Sequence, residues 1–114
     1  LLDAAGLANV PLGVVSGDDL MPTLARHDLN HLDTGEPLAS VRGRVVSANV
    51  YLGSAPIVEC LQRGARVVLT GRVADACLTV APAAFEHNWR LDDHDRLAGG
   101  TVAGHLIECG AQVT

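Results

Sequence analysis

Aromatic residues are almost missing from this chain: one Trp, one Tyr and one Phe, 3% of 114 residues. A core without them must be assembled from Ala, Val and Leu, which suits closely packed strands and helices. Basic clusters are missing as well. With a formal charge of −5 and no gathering of arginines, neither nucleic acid nor an anionic membrane surface is an expected partner. No apolar run approaches the roughly 18 residues that a membrane span needs, and no basic-then-apolar leader opens the chain. The expected location is therefore cytoplasmic. Cysteine is scarce: Cys60, Cys77 and Cys109 are isolated, odd in number and never in a CxxC pair. Neither a disulfide framework nor a thiolate zinc site is indicated, and all three read as small core residues.

What is present is a globular composition, 48% hydrophobic, at a length that suits one domain. The chain opens on Leu1 and stops at Thr114 directly after a helical pattern, so a fragment of a longer protein is expected.

The organising stretch is Ala65 to Pro82, ARVVLTGRVADACLTVAP. Arg66–Thr70 is a β-branched apolar run, Gly71–Asp75 breaks it, and a new apolar segment follows. The pattern predicts a buried strand, a turn and a helix from Ala74 to Phe85 that Pro82 ends, kinks or divides.

Upstream, Leu2–Ala8 reads as the tail of a helix and Val10–Val15 as a strand with Pro11 near its start. Asp18 or Asp19 would cap a helix through Leu20, Met21, Leu24 and Ala25. Alternatively, both carboxylates line a ligand crevice at the strand's carboxyl end. His27–Ser40 is a long polar connection; His27 and His31 are four apart, but in a segment with strong helix-ending signals.

Val45–Leu52 reads as a further strand. Ser54 and Pro56 open a helix through Ile57, Val58 and Leu61 that Gly64 closes. With Val67–Thr70 this predicts a parallel βαβ unit, and hence an α/β, three-layer domain with a parallel sheet of Rossmann-like units over residues 1–114. One of Asp92, Asp93 and Asp95 would cap a last helix running to Gly110, whose Gly99, Gly100 and Gly104 imply close packing.

The best site for chemistry is the central turn. Gly71 allows close backbone approach, a helix start presents free N–H groups, and Arg72 adds a fork of donors for a phosphate or carboxylate. Thr70 supplies a hydroxyl, Asp75 a carboxylate, and Asn49 with Tyr51 reaches the crevice from the adjacent parallel strand. Asp75 is the expected acid/base group, with Thr70, Gly71, Arg72, Asn49 and Asp18 as ligand-binding residues. The competing reading has Asp75 capping the helix while Arg72 pairs with it or with a neighbouring acid. His105, Glu108 and Cys109 share a helix face at spacing that can bind metal, yet one helix supplies too few ligands, so no metal site is assigned. No particular cofactor is indicated.

Several strings together, GDDL at 17–20, ANVYLGSAPIVECL at 48–61, LTGRVADACL at 69–78 and DRLAGGTVAGHLIECGAQVT at 95–114, resemble the acyclic terpene utilisation family of bacterial citronellol and geraniol breakdown. Cys77, His87 and Asn88 depart from residues common in it. The resemblance implies a longer cytoplasmic catabolic protein that handles isoprenoid acyl-CoA compounds as small anionic ligands. The alternative, suggested by the Ala- and Gly-rich last helix, is a non-catalytic scaffold that assembles with a partner subunit or a second copy.

Overall fold

A computed structural model describes residues 3–113. It is a mixed helix and strand structure built on two parallel strands, β1 (Leu12–Val15) and β2 (Val67–Thr70), in register from Leu12 opposite Val67 to Val15 opposite Thr70. Pro11 lies just before β1, where its missing N–H costs nothing; its carbonyl accepts from the N–H groups of Arg66 and Val67. The long crossover carries a short helix α1 (Leu38–Val41) and then α2 (Ala55–Gln62), and β2 leads through a turn into α3 (Cys77–Glu86) and α4 (His94–Glu108). Of the predicted first helix only a 3-10 turn, Asp3–Ala5, falls within the described residues; Leu2 lies outside them.

One face of the strand pair is the core. Gly13 presses so closely on α2 that a Cβ there would sit 2.8 Å from the Cys60 Cβ. Val15, Ile57, Val58, Cys77, Ala81 and Ala84 form the buried cluster, with Val68 and Trp89 against it. Burying a Val- or Ile-sized side chain contributes about 1.5–3 kcal/mol, so this small cluster carries much of the stability. The opposite face is bare: Leu12, Val14 and Leu69 remain 48%, 64% and 55% exposed.

Several expectations are corrected. Val45–Leu52 is not a strand and does not form the parallel unit with Val67–Thr70; β1 is the partner of β2. After a 3-10 turn (Arg42–Arg44), this segment runs extended and makes only single bridges, Asn49 with Asp19 antiparallel and Leu52 with Val73 parallel. Its apolar alternation reflects an extended backbone that bonds to the segments following β1 and β2 through Leu20 N–H to Ala48, Val50 N–H to Asp18 and Leu52 N–H to Arg72.

The helix expected after Asp19 is a 3-10 turn, Met21–Arg26, tightened by Pro22; Asp19 accepts from the Met21 N–H at 2.9 Å, while Asp18 caps nothing. Ser54 precedes α2 without capping it, since its hydroxyl points to the Cys77 sulfur at 3.3 Å. Pro82 neither ends nor divides α3, which continues to Glu86. Ala81 and Ala84, at 0% and 2% exposure, hold that helix against the core strongly enough to offset the lost backbone bond. Asn88, at φ 53°, takes the left-handed position that ends α3, and Trp89 N–H closes the cap on the Ala84 carbonyl. Cys77 is buried as expected, Cys60 only partly so, and Cys109 is exposed.

Asp93 caps α4 by accepting from the Arg96 N–H at 3.2 Å. The close packing expected of its glycines holds at two of three positions. A Cβ on Gly100 would lie 3.0 Å from the Trp89 ring, and one on Gly104 would lie 2.8 Å from the Ala76 Cβ and 3.1 Å from its backbone; Gly99 faces open space. No helix among the described residues is long and apolar enough to cross a membrane.

Candidate functional site

Beyond the carboxyl ends of β1 and β2, three segments meet: residues 16–19 leaving β1, the extended stretch around Asn49, and the turn 71–75 leaving β2. In open α/β sheets this end is where ligands bind. The segments enclose a polar crevice of about 440 Å³ lined by Asp18, Asn49, Thr70, Gly71, Arg72 and Asp75, with Val73, Leu78 and Glu108 completing it. All six residues expected from the sequence thus face one crevice, although Asn49 arrives on the extended segment and not on a parallel strand.

Asp18 ties the three segments together. Its Oδ2 accepts from the Arg72 peptide N–H at 2.8 Å and from Asn49 Nδ2 at 3.0 Å, while its own carbonyl accepts from the Val50 N–H at 2.8 Å. Gly71 is required beside it for a steric reason, since a Cβ there would run into the Asp18 carboxylate. The peptide N–H offered by the turn is therefore filled by one of the protein's own carboxylates. Moreover, α3 starts only at Cys77, so no helix N-terminus directly follows Gly71.

The Arg72 side chain is left for other work. Its guanidinium lies over the Tyr51 ring, 5.6 Å from the centroid, and none of the ion pairs among the described residues includes it. Asp75 neither pairs with it nor caps α3, whose N-cap is Ala76. Instead, the Asp75 carboxylate faces His105 Nε2 at 3.9 Å. His105 Nδ1 is 3.0 Å from the Thr101 carbonyl, an acceptor only, so Nδ1 donates there and Nε2 is the nitrogen turned to Asp75.

Glu108 and His105 were not expected at this site. Their spacing put them on one face of α4, but only the packing of Gly104 on Ala76 brings that face to the crevice. Cys109 is exposed, and among the described residues no group of three or more His, Cys, Asp or Glu side chains is arranged to hold a metal ion. His27 and His31 serve locally: one meets the Thr23 hydroxyl at 3.2 Å, the other accepts from the Asp33 and Thr34 N–H groups.

The Arg72 N–H, above all, holds the Asp18 carboxyl below its usual range, helped by Asn49 and the Arg72 charge against partial desolvation. A carboxyl whose folded pKa is depressed stabilises the fold above its unfolded value and loses that contribution as pH falls through the folded one. The melting temperature of the natural protein should therefore exceed that of Asp18→Asn at neutral pH, with the gap closing below about pH 4. A gap that persists unchanged into acid would show that the charge has no part in it.

Steric coupling gives a companion test. Gly71→Ala should cost about 1–3 kcal/mol by displacing Asp18. The same change in an Asp18→Ala background should cost much less, a non-additivity measurable in denaturant melts.

The fold is thus a mixed helix and strand structure in which a polar crevice lies beyond the carboxyl ends of two parallel strands. The chain belongs to the acyclic terpene utilisation family: the family model described as acyclic terpene utilisation family protein AtuA matches residues 1–114. No curated protein and no solved structure matches it.

Proposed function

We propose that this protein serves acyclic terpene catabolism by binding and acting on isoprenoid acyl-CoA compounds at the crevice. The observation that carries this reading is the convergence of Asp18, Asn49, Thr70, Gly71, Arg72 and Asp75, drawn from distant parts of the chain, on one cavity. Scattered residues would have favoured a scaffold. In this reading the Arg72 guanidinium holds an anionic group of the ligand, Thr70 and Asn49 contribute polar contacts, and Asp75 is the acid/base group with His105 beside it. Asp18 fixes the turn and lines the wall. Three carboxylates line the crevice, Asp18 among them beside Arg72, so the Arg72 guanidinium is the group that would hold an anion against their repulsion.

The proposed setting is the cytoplasm, and the proposed architecture is a single domain with three layers and Rossmann-like connections. Support for the third layer comes from the bare face of the sheet, because parallel sheets have both faces covered. The chain exposes 8364 Å², against roughly 5900 Å² for a compact monomer of its mass. Its radius of gyration is 17.7 Å, against about 13 Å for a compact domain of 100 residues.

The same surface supports a second reading, a non-catalytic subunit whose bare face seats a partner. Calorimetry on the intact protein with an isoprenoid acyl-CoA separates the two. Saturable binding is expected; a folded protein that binds none would favour the subunit.

A further inference from the structure

A second cavity adjoins the crevice, and its chemistry is different. It measures about 460 Å³, and the apolar groups of Tyr51, Ala74, Ala76, Cys77, Val80 and Leu97 make most of its wall. The two cavities are of similar size, both within the range that holds small ligands. They share Asp75, which lines each of them. On the far side His105 Nε2 stands 3.9 Å from the same carboxylate and lines the apolar cavity. The floor is buried: Val80 is 4% and Cys77 7% exposed, and the Ser54 hydroxyl is spent on the Cys77 sulfur at 3.3 Å, so neither group is aimed at a polar ligand. The roof is α4, held down by the contact of Gly104 with Ala76.

We infer that the two cavities form one bipartite site for an amphipathic ligand: the polar crevice takes the charged head, and the apolar cavity takes an acyclic hydrocarbon tail. The head-to-tail junction then lies at Asp75 and His105. This rests on the ligand-binding function proposed above and adds to it the orientation of the ligand and the part of the protein that reads the tail. An acyl thioester is a class of ligand that fits: its carbonyl joins a hydrocarbon chain to a polar carrier arm, with the carrier's anionic groups further along that arm. In that orientation the carbons nearest the thioester lie beside Asp75, the group proposed for proton transfer.

Gly53 offers a clean way to block the tail cavity. It lines the cavity, and a Cβ at this position would meet nothing within 4 Å, so Gly53→Leu fills space without pressing on the fold. Thr101→Trp blocks from α4, where Thr101 is exposed. Calorimetry on the intact protein would compare free CoA, acetyl-CoA and an acyl-CoA with a branched ten-carbon acyclic tail.

Each buried methylene multiplies affinity by about fourfold, so the long ester should bind at least tenfold more tightly than acetyl-CoA. Either blocking variant should remove most of that advantage while leaving acetyl-CoA binding as it was. Equal affinities for the two esters in the natural protein, or an advantage that survives both blocks, would overturn the bipartite site while leaving the head-group reading intact. If no CoA compound binds, the head-group reading fails instead. The tail cavity is then tested with the free branched ten-carbon carboxylic acid: binding that Gly53→Leu abolishes upholds the tail cavity, and no binding overturns it.

Discussion

Gly104→Val should unfold the protein at a markedly lower temperature than the natural chain, by on the order of 10 °C. The position allows no side chain. A Cβ already falls 2.8 Å from the Ala76 Cβ and 3.1 Å from the Ala76 Cα and carbonyl oxygen, and backbone atoms cannot turn aside as a flexible side chain would. Overpacking of this kind costs about 1–3 kcal/mol, and each kcal/mol moves the midpoint of a domain this small by roughly 4–8 °C.

The damage should also reach function. Ala76 follows Asp75, and His105 follows Gly104, so pushing α4 away from α3 widens the separation of the Asp75 and His105 side chains and opens both cavities. Gly99→Ala on the same helix is the control. It faces open space, so replacing its flexible backbone should stabilise α4 by about 0.5–1 kcal/mol. Thermal melts of the two variants that moved in the same direction would refute this account of the α3 and α4 interface.

The contrast between Gly99 and Gly104 also illustrates what a sequence can disclose. That glycines in a helix imply close packing was legible; which glycine packs was not, because that depends on the partner surface. The strand Val67–Thr70, the helix opened by Ser54 and Pro56, and the last helix capped by an aspartate could be read from apolar runs and punctuation. Val45–Leu52 could not be placed, because an extended backbone gives the same alternation of side chains whether or not a neighbouring strand pairs with it. For Pro82 the sequence left open whether the helix ends, kinks or divides, because the rule about proline is local, whereas the burial of Ala81 and Ala84 that carries α3 on to Glu86 is tertiary.

The site divides in the same way. Residues following strand ends were expected to meet at the carboxyl edge, and Asp18, Thr70, Gly71, Arg72 and Asp75 do; Asn49 joins them on a different kind of segment. What the sequence hid was the use each one is put to. The bond from the Arg72 N–H to Asp18 spans 54 positions, and nothing local to either residue announces it. It changes the meaning of the turn: the peptide donor is engaged internally and the guanidinium stays available. Glu108 and His105 stayed hidden because small residues, not an apolar stripe, make the packed face of α4, so periodicity did not show which side turns inward.

The central claim is that the crevice binds the ligand through Arg72, and the most direct measurement is calorimetric titration of an isoprenoid acyl-CoA into the intact protein and its Arg72→Ala variant. The guanidinium is outside the ion pairs of the described residues and stacks on Tyr51, so its removal leaves no carboxylate stranded. The account predicts saturable binding by the natural protein and a loss of about 1.5–3 kcal/mol in the variant, roughly 10- to 100-fold in affinity, as for a charge-assisted hydrogen bond. Equal affinity in the two proteins, with both folded, would contradict it and move the ligand away from this turn.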